Sequence, residues 1–119
     1  MATPSKTDLG KGGYENPWTY QGTDFTSDDI DDKFGFVYCI TNVTTGKRYI
    51  GRKYFWQFRT PKGKKRKVKS ESDWKKYYGS CPELKEEIER LGRKNFSRSI
   101  LSLHYTKGKT NFEETRQLF

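Results

Sequence analysis

Tyr38 and Tyr49 sit near matching positions in two strand-like runs, Phe36–Thr41 and Arg48–Gly51. Between them lies a turn-rich segment, Asn42-Val-Thr-Thr-Gly-Lys47. Asn42 and Gly46 accept the unusual backbone angles such a turn needs, so the stretch reads as a β-hairpin. Side chains alternate between the faces of a strand, and residues of matched parity on paired strands share one face. The hairpin thus sets two phenols side by side, with Arg52, Lys53 and Arg59 just beyond. A free phenol has a pKa of about 10. Neighbouring cations such as Lys53 and Arg59 are expected to lower it, and a phenolate can take a proton from water. Far along the chain, Glu113 and Glu114 are a candidate pair for one oxygen ligand to a divalent cation. The ordinary alternatives are strand tyrosines and a carboxylate that complements a helix N-terminus.

The elements that must position these groups are short. A chain of 119 residues with 31% hydrophobic content and a mean hydropathy of −1.08 builds one domain with a small core, in which 16% aromatics supply the bulk. Lys53–Arg59 is expected to form a helical turn ending before Pro61. Ser72-Asp73 is expected to cap a helix that carries Trp74, Tyr77 and Tyr78, with Trp74 packing in the core. Ser80-Cys81-Pro82-Glu83 has the form of a helix start, Leu84, Ile88 and Leu91 make its buried stripe, and Gly92 ends it. Phe96–Leu103 alternates as a strand, and Thr110 or Asn111 caps a last helix. The expected fold is α+β: a small three-stranded, mainly antiparallel sheet flanked by helices.

Charge divides the chain. Residues 1–34 hold three basic and seven acidic residues, a net −4, whereas residues 35–119 hold 21 and 8, a net +13. The first part reads as an acidic, extended and partly disordered arm, although Pro17–Tyr20 and Phe25 can dock on the domain. Its aspartates match no calcium loop and read as a solvated linker. Residues 35–119 read as a folded polyanion binder. Within them Lys62, Lys64, Lys65, Arg66, Lys67 and Lys69 crowd an exposed loop over residues 62–69, where phosphates are expected. Cys39 and Cys81 make neither a disulfide framework nor a zinc site, and His104 is the only histidine. No run is apolar enough to span a membrane and no signal peptide is evident, which predicts a soluble cytoplasmic protein.

The hairpin resembles the GIY-YIG nuclease family, whose two namesake elements correspond to Phe36-Val37-Tyr38 and Tyr49-Ile50-Gly51. The first has Phe36 where the family usually has Gly, with Gly35 one place earlier. The likeness extends to about residue 119 and is greatest to the short phage homing-endonuclease-like (Seg-type) branch. In that branch the Tyr-Ile-Gly is followed by basic and aromatic residues, here Arg52-Lys53-Tyr54-Phe55-Trp56. Asp73-Trp74-Lys75-Lys76-Tyr77-Tyr78-Gly79-Ser80 is similar to it as well.

This resemblance implies a hydrolase that cuts DNA phosphodiesters with one Mg²⁺ or Mn²⁺ ion, in a phage or mobile-element setting. It implies Tyr38 and Tyr49 as the working phenols and Arg59 as the phosphate-binding arginine, on a helix after Gly51. Lys53 would assist as a point charge and Glu114 would hold the metal, with Glu113 the runner-up. Arg52 and the basic loop would contact DNA. No obligatory protein partner and no membrane are implied. The alternative is a non-catalytic nucleic-acid-binding module that retains the scaffold.

Overall fold

The computed structural model describes residues 17–118; the remainder of the acidic arm and Phe119 lie outside the described residues. The hairpin is present. β3 (Gly35–Asn42) and β4 (Arg48–Tyr54) pair antiparallel, with Tyr38 opposite Gly51 and Ile40 opposite Tyr49. At the turn, Asn42 Oδ1 accepts hydrogen bonds from the Thr44 and Thr45 backbone amides at 2.9 and 3.3 Å, and Gly46 takes φ 81°. These are the roles asparagine and glycine play in turns.

The sheet has five strands, not three. β7 (Phe96–His104) pairs antiparallel with the other side of β3. Beyond it come β1 (Thr19–Tyr20), parallel to β7, and β2 (Thr23–Asp24), giving the order β2-β1-β7-β3-β4. The two added strands come from the end of the segment read as an acidic arm. Trp18, Phe25 and Ile30 of that segment are buried in the core. Trp18 also donates its indole N–H to the Trp74 carbonyl at 2.7 Å. Removing such aromatic and aliphatic side chains from water is worth roughly 1.5–3 kcal/mol each, enough to order a segment poor in aliphatics.

Two further expectations change. Lys53–Arg59 forms no helical turn. β4 runs on to Tyr54, Phe55 turns fully into the core, and Trp56–Arg59 forms β5, paired antiparallel with β6 (Val68–Glu71) in a separate two-stranded ribbon. Aromatic residues in quick succession favour a pleated strand over a helix. Asp73–Tyr78 yields only one 3₁₀ turn, Trp74–Lys76, followed by extended backbone at Tyr77.

α1 (Pro82–Leu91) starts on its proline, buries Leu84 and ends at Gly92 with φ 92°. α2 (Lys107–Leu118) begins earlier than expected, because Thr106 Oγ1 accepts the Lys109 amide and so caps it. Among the described residues no helix is long and apolar enough to cross a membrane.

Candidate functional site

The two faces of the central hairpin have different neighbours. Phe36, Tyr38 and Ile40 point into the aromatic core with Trp18, Phe55 and Trp74. Gly35 backs onto the buried Thr110 of α2. β4 is the free edge of the sheet. Along that edge opens a cleft of about 760 Å³, lined by Tyr38, Tyr49, Gly51, Arg52, Lys53 and Glu114, with Arg48, Tyr77, Ser80 and Cys81 among its other walls. Glu114 is the single carboxylate in that lining.

Tyr38 and Tyr49 share one face of the hairpin, since both have the parity of Gly51. Gly51 makes the arrangement sterically feasible: a Cβ there would collide with the Tyr38 hydroxyl. Tyr38 is only 4% exposed, so the cleft reaches a phenol that is otherwise enclosed. Its acidity moves opposite to the expectation from nearby cations. Burial raises its pKa well above the ordinary phenol value, and Tyr77 and then Glu114 push it further the same way. Tyr49 is also raised, by desolvation first and then by Glu87 and Glu83 of α1. The two phenols therefore face different company: Tyr38 looks toward Tyr77, Glu114 and Cys81, Tyr49 toward α1.

Glu114 and Glu113 part company on α2. Asn111, Glu114 and Leu118 lie along one side of the helix, as positions three and four apart must. Asn111 Oδ1 accepts from the Tyr54 hydroxyl at 2.7 Å, and Glu114 Oε1 accepts from Arg52 at 2.6 Å. Leu118 and Glu114 line the cleft. Glu113 instead holds Arg116 at 2.6 Å and Gln117 at 2.9 Å, and these bonds, Arg116 first, lower its pKa. Glu114 lies well inside the helix, not in its first turn, so helix-end electrostatics do not explain it.

Of the expected cations, Lys53 and Arg52 reach the cleft. Lys53 Nζ pairs with Asp73 at 2.7 Å and stands 4.2 Å from the centroid of the Tyr77 ring. Arg59 does not line the cleft; it is exposed on β5. The guanidiniums that do line it are Arg48 and Arg52. Lys62, Lys64, Lys65, Arg66, Lys67 and Lys69 are all exposed on the ribbon and its loop.

Two contributors escaped sequence reasoning. Tyr77, expected only as part of a helix after Asp73, stands against Tyr38 at a ring-centroid distance of 6.0 Å, and its hydroxyl donates to Ser80 Oγ at 3.1 Å. Arg98 is buried, stacks 4.1 Å from the centroid of Tyr78 and 4.7 Å from that of Trp18, and donates to the Tyr77 carbonyl at 2.7 Å. It fixes the backbone that presents Tyr77 to the cleft. The available signal was an arginine alternating with Phe96 and Ile100 on an otherwise apolar strand face.

The residues present suit a hard divalent cation. Such an ion accepts one protein carboxylate when water and substrate phosphate complete its shell, and the cleft offers one. Among the described residues, the cleft included, no cluster of three or more histidine, cysteine or acidic groups could hold a metal ion, so a cation at Glu114 would take its other ligands from water and substrate. A family model described as "Putative endonuclease segE, GIY-YIG domain" matches residues 18–119. No curated protein and no solved structure matches the chain.

Proposed function

Because this chain belongs to the Seg-type GIY-YIG nuclease family, we propose that it is a divalent-metal-dependent DNA endonuclease working through Tyr38, Tyr49, Arg52, Lys53 and Glu114. The observation that carries this reading is the lone carboxylate: Glu114 shares one cleft with both hairpin phenols and three cations, Arg48, Arg52 and Lys53. When bound at Glu114, Mg²⁺ or Mn²⁺ would supply Lewis acidity to the phosphoryl oxygens and to water.

The chain's own groups do the rest. Arg52 gives the scissile phosphate a planar, two-pronged donor, in the role first expected of Arg59. Its present partner is Glu114, so ligand binding at the carboxylate frees the guanidinium for phosphate. Lys53, on the opposite face of β4 from Arg52, adds a point charge from the Tyr77 wall of the cleft. Tyr38, the phenol beside Glu114, takes the proton of the attacking water. Burial keeps its ionised fraction small at neutral pH, so cleavage speeds up as the solution becomes more alkaline. Tyr49, turned toward Glu83 and Glu87, supports the hairpin face and contributes less.

The test is supercoiled plasmid incubated with pure protein and Mg²⁺ or Mn²⁺, with EDTA as the control. Nicked or linear product with metal only is the expected result. Intact plasmid with both metals, alongside retained DNA binding, would overturn the proposal in favour of a binding module on the same scaffold.

A further inference from the structure

The ribbon of β5 and β6 is rooted firmly and exposed outward. Trp56 Nε1 donates to the Lys33 carbonyl at 3.1 Å. Glu71 Oε2 accepts from Ser27 Oγ at 2.7 Å and Trp74 Nε1 at 2.6 Å. Beyond this root, every residue of β6 is exposed, and Phe58 and Val68 are about half exposed. Residues 56–71 carry seven basic residues and one acidic, a net +6 out of +9 for the whole chain. So many like charges on one short hairpin repel each other unless an anion lies among them.

Pairing of Gln57 with Ser70 and Arg59 with Val68 places these four on one face of the ribbon; Trp56, Phe58, Lys69 and Glu71 take the other. The first face carries the chemistry that reads bases. Arginine pairs with guanine O6 and N7, glutamine with adenine N6 and N7, and an apolar group meets the thymine methyl. Trp56 and Gln57 also line the cleft, so the ribbon springs from its wall.

We propose that this ribbon is a groove-reading arm. It enters the major groove of duplex DNA with the Gln57–Arg59 face against base edges, while Lys62, Lys64, Lys65, Arg66, Lys67 and Lys69 hold the flanking phosphates. The major groove, about 12 Å wide, admits a two-stranded ribbon. This deepens the nuclease reading, on which it rests for the choice of DNA as substrate, by assigning recognition to the ribbon that rises from the wall of the cutting site. A four-residue strand spans roughly 13 Å, so the cut falls within about 4 base pairs of the bases read.

The experiment measures binding of the full chain, in EDTA, to a short random-sequence DNA duplex, the matching single strand and an RNA duplex. Changing the six loop cations to Gln, all exposed and so harmless to the core, should weaken duplex binding at least about 100-fold at moderate salt and flatten its salt dependence by about 0.9 in log–log slope per lost phosphate contact. Arg59→Ala should cost about 5- to 150-fold on a duplex selected for tight binding and relax its preference at one position. On the unaltered protein, methylation of guanine N7 should interfere, and a minor-groove ligand should not compete. An unchanged salt slope in the charge variant, RNA duplex bound as tightly as DNA, or displacement by the minor-groove ligand with N7 methylation harmless would each overturn the arm. These readouts need no cleavage. A protein that binds this way but leaves plasmid intact with metal refutes the cutting site and leaves the arm standing.

Discussion

In the hairpin of β3 and β4, side chains are pinned. Residues 35–40 are buried, Tyr38 lies across a glycine that admits no Cβ, and α2 backs the far face. In the ribbon of β5 and β6 almost everything past the root meets solvent, and cations outnumber every other kind of side chain. The two hairpins follow one another in the chain, yet water excluded from the first shifts its phenols, and water around the second screens its charges. Chemistry at a phosphodiester needs groups held within a fraction of an ångström; attraction of a polyanion needs only charge brought within a Debye length. Under the proposed function the pinned hairpin meets the first demand and the charged, exposed ribbon the second.

The sharpest way to break this division is Glu114→Ala. Removing the lone cleft carboxylate should lower the cleavage rate on the order of 10³-fold or more, measured by single-turnover plasmid nicking. DNA binding should tighten slightly, because Arg52 loses its internal partner. Loss of binding instead would mean that cleft and arm are not separable.

Tyr38→Phe should cost about 10²–10⁴-fold in rate, and Tyr49→Phe markedly less; an equal loss in both would put the proton transfer on the wrong phenol. In the wild type, the raised pKa of Tyr38 predicts a rate that climbs about tenfold per pH unit from neutrality to beyond pH 9, where Tyr38→Phe shows no such slope. The same shift fixes a sign for stability. The protonated phenol is the folded form, so stability is full below the unfolded phenol's pKa of about 10 and falls as pH rises above it; alkaline melting curves check this.

Gly51→Ala forces Tyr38 out of place. It should cost about 1–3 kcal/mol of stability in denaturant titration and lower cleavage with it. A stable, active alanine variant would show that the close approach is not required. At the small end, Arg59→Ala should raise KM and leave kcat within about twofold of the wild type, since saturating DNA hides a weakened arm. A fall in kcat with KM unchanged would return Arg59 to the cutting site and dissolve the comparison.

Much of the hairpin was legible beforehand because its determinants are local. Asn42 and Gly46 announce the turn, and strand parity alone brings Tyr38 and Tyr49 to one face. α1 follows from Pro82, its leucine stripe and Gly92. On α2, helical spacing alone sets Asn111, Glu114 and Leu118 along one side, toward β4, and leaves Glu113 off it. The helical turn expected to carry Arg59 is a strand instead, for an equally physical reason. Its segment has no helix-breaking residue before Pro61, and the partner strand that turns it into β5 lies beyond a charged loop that shows no alternation.

By itself the sequence determined which groups exist to do chemistry, the hairpin that presents the phenols and the excess of positive charge after it. Only the tertiary structure decided which arginine meets the carboxylate, which way the phenols titrate and where residues 17–34 go. Those outcomes depend on long-range packing: Phe55 and Trp74 draw the chain into the core, Trp18 closes over them, and the desolvation that results reverses the effect expected from neighbouring cations.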